Sequence, residues 1–199
     1  MGDKVTFGHY RVLQHNDGSL WELGSSETGV TYKALDADLQ RPVALKVINA
    51  DLVADEVSRD RFLREARASA GLRHSHIASI YHFGKEEDQF FYAMEFIEGQ
   101  TAESHVARFG PMPLRAALCI AWQVSKALAA ATRQELHRDI KPANIMIVAD
   151  SEEGAWPFVK LIDFGLPRSV RPVHDSDGTT QAESVGIDQS RTPEQIQEG

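Results

Sequence analysis

Apolar, β-rich runs broken by polar turn residues fill much of the first half of the chain, the pattern of strands. The runs HYRVL (9–13) and LWEL (20–23) flank QHNDGS, whose Asp17-Gly18 pair suits a tight hairpin turn. GVTYKALD (29–36) and RPVALKVIN (41–49) are β-rich and bounded by Gly29 and Pro42. Helical spacing follows. Residues 57–72 place Phe62, Ala66 and Ser69 or Ala70 on one helical face, with Gly71 as a stop. IASIYHFG (77–84) and QFFYAMEFI (89–97) read as two more strands joined by the acidic turn KEEDQ. The second half begins with a helical stripe, Leu114, Leu118, Ala121, Val124 and Leu128. Short strands are expected at IMIV (145–148) and FVKLI (158–162), and the polar, turn-rich stretch after Gly165 reads as a loop.

Composition narrows the class. A chain of 199 residues can bury a sizeable core as one domain in two lobes. Its net charge of −8 argues against a general nucleic-acid binder, which needs a basic surplus to release phosphate counterions. The single cysteine, Cys119, excludes an internal disulfide and a cysteine-rich zinc site, making the cytoplasm the expected compartment. No apolar run approaches a membrane span, so no transmembrane segment is expected. MGDKVT fits the N-myristoylation template at Gly2, a pattern short enough to arise by chance.

The candidate chemistry concerns phosphate. LGSSETGVTYKA (23–34) is a glycine-containing hairpin whose backbone N–H groups could approach phosphate oxygens, although an ordinary hairpin reads the same way. Lys46, in the apolar run VALK, needs an anion. Glu65 on the expected helix or a bound phosphate would serve, and a structural ion pair uses the same residues. HRDIKPAN (137–144) and LIDFG (161–165) form the most specific set. Asp139 can take or orient a hydroxyl proton, and Lys141 can offset charge on a phosphoryl group. Asn144 and Asp163 offer hard oxygen ligands to magnesium. Phe164 and Gly165 then allow a sharp turn.

Taken in order, LGSSETGVTYKA, VALK, FLREA, AMEFIEG, HRDIKPAN, DFG and TPEQ resemble the eukaryotic-like (Hanks-type) serine/threonine protein kinases, with a bacterial flavour, from about Tyr10 to Gly199. The resemblance implies an α+β, bilobal fold. A β-rich N-lobe with one helix would span about 7–97, and a partial helical C-lobe about 98–199. It implies ATP held by Leu23, Gly24, Ser26, Gly29, Thr31, Ala44, Lys46 and Met146. Lys46 would pair with Glu65, Met94 would guard the back of the cleft, and Glu95 to Ile97 would form the adenine hinge. Asp139 would be the catalytic base beside Lys141, with Mg2+ on Asn144 and Asp163. The implied partner is a protein with a serine or threonine acceptor. Self-phosphorylation within 167–192, at Thr179, Thr180 or Ser184, is also implied by Arg138 preceding Asp139.

Several positions depart from the pattern. Ser26 replaces the middle glycine of the phosphate loop, Thr31 replaces a valine over adenine, and Ile187 replaces the threonine beside the catalytic aspartate. The segment before His137 reads one residue short. Glu194 is followed by five residues, so the later C-lobe helices are expected to be absent and the Leu118 stripe uncovered. These departures keep open a pseudokinase-like nucleotide- or partner-binding module without turnover. A small-molecule kinase of the aminoglycoside phosphotransferase type is disfavoured by Lys141 and TPEQ.

Overall fold

The computed structural model of the protein describes residues 5–131, 140–148 and 156–163. Its main sheet contains β1 (Thr6–Phe7), β2 (Tyr10–Val12), β3 (Glu22–Ser26), β4 (Gly29–Asp36), β5 (Arg41–Ile48), β6 (Ile80–Glu86) and β7 (Gln89–Glu95). The strand order is β1-β2-β4-β5-β7-β6, with β3 also on β4. The Asp17-Gly18 turn forms as expected, closed by His15 and Ser19. The strands on either side of it, however, do not make an extended hairpin. They meet only at the Gln14–Leu20 bridge and lie end to end along β4, β2 against Ala34–Asp36 and β3 against Gly29–Tyr32. Turn chemistry is local, whereas the choice of pairing partner is not.

Alternation divides the sheet into two apolar faces. Val43 and Leu45 of β5 and Phe91 and Ala93 of β7 pack with Phe7, Tyr10 and Val12, where β1 and β2 curl over. The intervening Ala44, Ile48, Phe90, Tyr92 and Met94 pack against Phe62 of α1 (Glu56–Gly71). The helix starts where Asp55 accepts hydrogen bonds from the Ser58 N–H and hydroxyl. It buries Phe62, Ala66 and Ser69, the face its spacing predicts.

The second part begins with β8 (Gly99–Thr101) and α2 (Ala102–Phe109), neither of which the sequence reading identifies. Thr101 caps α2 by accepting from the Ser104 N–H. Helix α3 (Leu114–Ala131) then packs on a small sheet, in the order β10-β9-β8, made with β9 (Ile145–Val148) and β10 (Val159–Leu161). Its buried apolar stripe is Ile120, Val124, Ala127 and Ala131; of the expected line Val124 and Leu128 face this core, whereas Leu114, Leu118 and Ala121 are exposed. Leu114 is 74% exposed, Leu118 60% and Trp122 57%. An apolar helix offers several stripes at helical spacing, and contact with β10 selects one. Among the described residues α3 is long and apolar enough to cross a membrane by length and composition, a test that a core helix also passes. Alanines supply much of that character, and its Ile120 stripe packs in a protein core with Leu72, Ile77, Val159 and Leu161.

Candidate active site

The site is built where β5, β7 and the end of β10 meet. Sheet register places Thr31, Lys46 and Tyr92 side by side, Lys46 opposite Thr31 on β4 and opposite Tyr92 on β7. Cross-strand partners share a face, so all three lie on the side covered by α1. Lys46 is 2% exposed, and a buried ammonium requires a counter-charge. Asp163, two residues beyond β10, provides it. Lys46 Nζ pairs with Asp163 Oδ2, and the Tyr92 hydroxyl donates to Asp163 Oδ1 at 3.0 Å. Asp163 has φ +55°, the left-handed region that non-glycine residues enter at a cost of about 1–3 kcal/mol, mostly at functional sites. Burial, followed by the adjacent Asp163 carboxylate, holds the Tyr92 hydroxyl well above its ordinary pKa, so it stays a donor.

The pairing of Lys46 with Glu65 implied by the family resemblance does not form. Glu65 Oε1 instead accepts from Arg61 Nε at 2.9 Å, one helical turn earlier, and Glu65 Oε2 is buried without a hydrogen-bond partner. A single buried ammonium has been taken by the carboxylate arriving from β10, while the helix neutralises its own glutamate through an i,i+4 contact.

Asn144 is buried at the end of a 3-10 turn, Pro142–Asn144. Its N–H donates to the Lys141 carbonyl, and its own carbonyl accepts from Ile162 N–H, both at 2.9 Å. The backbone thereby ties Asn144 to the residue before Asp163. Lys141 is exposed at the start of that turn. Asp139, His137, Arg138, Phe164, Gly165, Ile187 and TPEQ lie outside the described residues, as do Gly2 and the acceptor candidates Thr179, Thr180 and Ser184. The carboxylate of Asp163 and the amide of Asn144 are hard oxygen donors, and their tethering fits a magnesium ion completed by phosphate and water.

The remaining nucleotide-site candidates lie on or beside β3, β4, β5, β7 and β9. Gly24 pairs with Thr31 and Ser26 with Gly29 in the β3–β4 hairpin. Gly24 has no atom within 4 Å of where a Cβ would sit, leaving its backbone open to an approaching group. Ser26 Oγ is engaged within the turn by Thr28 Oγ1 at 2.8 Å. Gly29 has a different requirement: a Cβ there would lie 2.0 Å from the Val47 carbonyl oxygen. Leu23 is exposed on β3, Ala44 and Met94 are buried cross-strand partners, and Met146 is half-buried on β9. Glu95 ends β7 and is bound by Lys160 of β10 at 2.6 Å, ahead of Phe96 and Ile97. Sequence reasoning missed Tyr92, Lys160 and Lys33, whose ammonium lies over both Trp21 and Phe96, 4.6 and 4.5 Å from their ring centres. The signal for Tyr92 was its place in QFFYAMEF: a tyrosine on a core-facing strand position needs a partner for its hydroxyl.

A protein kinase domain model matches residues 19–199. The chain belongs to the protein kinase family. Serine/threonine-protein kinase PknL of Mycobacterium bovis is 40% identical over 179 residues, which are 89% of this chain and 43% of PknL. Serine/threonine-protein kinase PrkC of Bacillus subtilis is 33% identical over 201 residues, covering 100% of this chain and 28% of PrkC. This kinase-family chain therefore spans less than half the length of these curated relatives. The crystal structure of the Mycobacterium tuberculosis PknI kinase domain aligns with a TM-score of 0.68 at 30% identity, over 86% of this chain and 65% of that one. The fold class is the expected one, a β-rich sheet with one helix followed by a helical part of a kinase domain.

Proposed function

We propose that the chain carries the nucleotide site and catalytic loop of a serine/threonine protein kinase, which transfers the γ-phosphoryl group of ATP to protein hydroxyls. The observation supporting this most directly is the convergence of Lys46 and Asp163, with Asn144 tied to the strand that delivers Asp163. In this reading Lys46 binds the α- and β-phosphates, and the β3–β4 hairpin covers them with backbone N–H groups. Ala44, Met146 and the hinge from Glu95 to Ile97 hold adenine, and Met94 guards the back of the cleft. Asn144 and Asp163 hold Mg2+, whose chemistry when bound is to bridge phosphate oxygens and neutralise their charge. Asp139 orients the acceptor hydroxyl and takes its proton, while Lys141 offsets charge on the group in flight. Autophosphorylation of 167–192 is part of the same proposal.

A second reading, nucleotide or partner binding without turnover, is favoured by one specific arrangement: Lys46 is engaged by Asp163 while Glu65 is engaged by Arg61. Labelled phosphate transfer from Mg-ATP to a generic protein substrate separates the two. Incorporation that disappears in Asp139→Asn supports the kinase. Nucleotide binding without incorporation supports the binding module.

A further inference from the structure

We propose that Tyr92 is a positioning residue that holds Asp163 in its Lys46-bound arrangement and thereby sets the Mg2+ concentration at which nucleotide binds. The inference rests on the phosphoryl-transfer reading above, and it begins with occupancy. Both oxygens of Asp163 are engaged by the protein itself, Oδ2 by the Lys46 ammonium and Oδ1 by the Tyr92 hydroxyl. A magnesium ion competes with these donors for the same lone pairs.

The two contacts differ in how readily they are released. Lys46 carries a flexible stem and gains a phosphate when nucleotide enters. Tyr92 gains nothing. It lies in one buried cluster with Ala44, Phe62, Phe90 and Met94 and is 1% exposed, so a hydroxyl abandoned by Asp163 is left buried and unsatisfied. Departure of Asp163 is therefore opposed by Tyr92 more than by Lys46. Tyr92 shares this buried cluster with Phe62 of α1, the helix whose Glu65 has a buried, unused oxygen. Tyr92 thus joins the α1 packing core to the metal-site carboxylate.

The test is Tyr92→Phe, which keeps the ring and removes the hydroxyl. A fluorescent ATP analogue is bound to the full 199-residue chain with and without Mg2+, and the Mg2+ midpoint is measured by titration. The expected result is a midpoint lowered by about tenfold, the worth of one hydrogen bond to a charged group. Mg2+-free binding is expected to stay within about twofold, because that state does not call on Asp163. In an Asp163→Asn background, Tyr92→Phe is expected to have no effect on the midpoint. An unchanged or raised midpoint in a Tyr92→Phe chain that melts cooperatively overturns the inference while leaving the kinase reading intact. Tyr92→Met is read by the same titration if the phenylalanine variant fails to fold. Nucleotide binding by the parent chain that ignores Mg2+ altogether overturns both.

Discussion

Gly29 and Lys46 lie on the same pair of strands, Gly29 opposite Ile48 and Lys46 opposite Thr31, yet they answer to different forces. Gly29 sits at φ +144° against the backbone of β5, so its lack of a Cβ is a packing requirement. Gly29→Ala is expected to lower stability by about 2–3 kcal/mol, seen as a lower urea midpoint with an unchanged slope. Lys46 is apolar in its setting and ionic in its contact. Lys46→Met is expected to weaken nucleotide binding about tenfold or more, while the melt stays cooperative, because Asp163 keeps Tyr92 as a donor. The sequence identified Lys46, Asn144 and Asp163 as candidates, because a buried cation and hard oxygen ligands are chemically conspicuous. It could not reveal which acid would take the lysine. Glu65 and Asp163 are equally anionic on paper, and only the arrival of β10 brings one of them to the ammonium.

At the scale of elements, α1 was legible and α3 only in part. One face of α1 meets the sheet and the other faces solvent, so polar residues mark its exposed side and Phe62 and Ala66 its buried side. Phe62→Ala is expected to cost about 3–5 kcal/mol, measured by denaturant unfolding, since Phe62 lies between the sheet face and α1. Helix α3 is apolar on several sides, so its pattern is ambiguous and its contact with β10 is the arbiter. The short β8 and α2 carried too few residues to show a period, although Thr101 and Ser104 form the cap that starts α2. The Asp17-Gly18 turn was read correctly from local chemistry, whereas the partner of its two strands was not.

For the whole molecule, one groove among the described residues has a lining distinct from the nucleotide-site candidates. A groove of about 690 Å³ is lined by His76, Leu118, Cys119, Trp122, Trp156 and Phe158, among others, and contains none of the nucleotide-site candidates. Exposed apolar surface of this kind binds other apolar surfaces. The double substitution Leu118→Ser and Trp122→Ser is expected to reduce binding of an apolar dye and self-association at high concentration. The melting temperature should change little, because both side chains are already more than half exposed. A large fall in melting temperature would show that this face packs against another part of the molecule. The chain's match to a kinase domain therefore coexists with an open apolar face on α3.

The sequence by itself determined the family, the strand-rich beginning, the face of α1 and the chemical types gathered at the cleft. These depend on short-range periodicity and on residues whose charge or conformational freedom is scarce. Tertiary structure alone decided that Lys46 binds Asp163, that Tyr92 joins them, and which side of α3 is buried. Each of those outcomes is a competition between chemically similar partners distant in sequence, and three-dimensional proximity settles it.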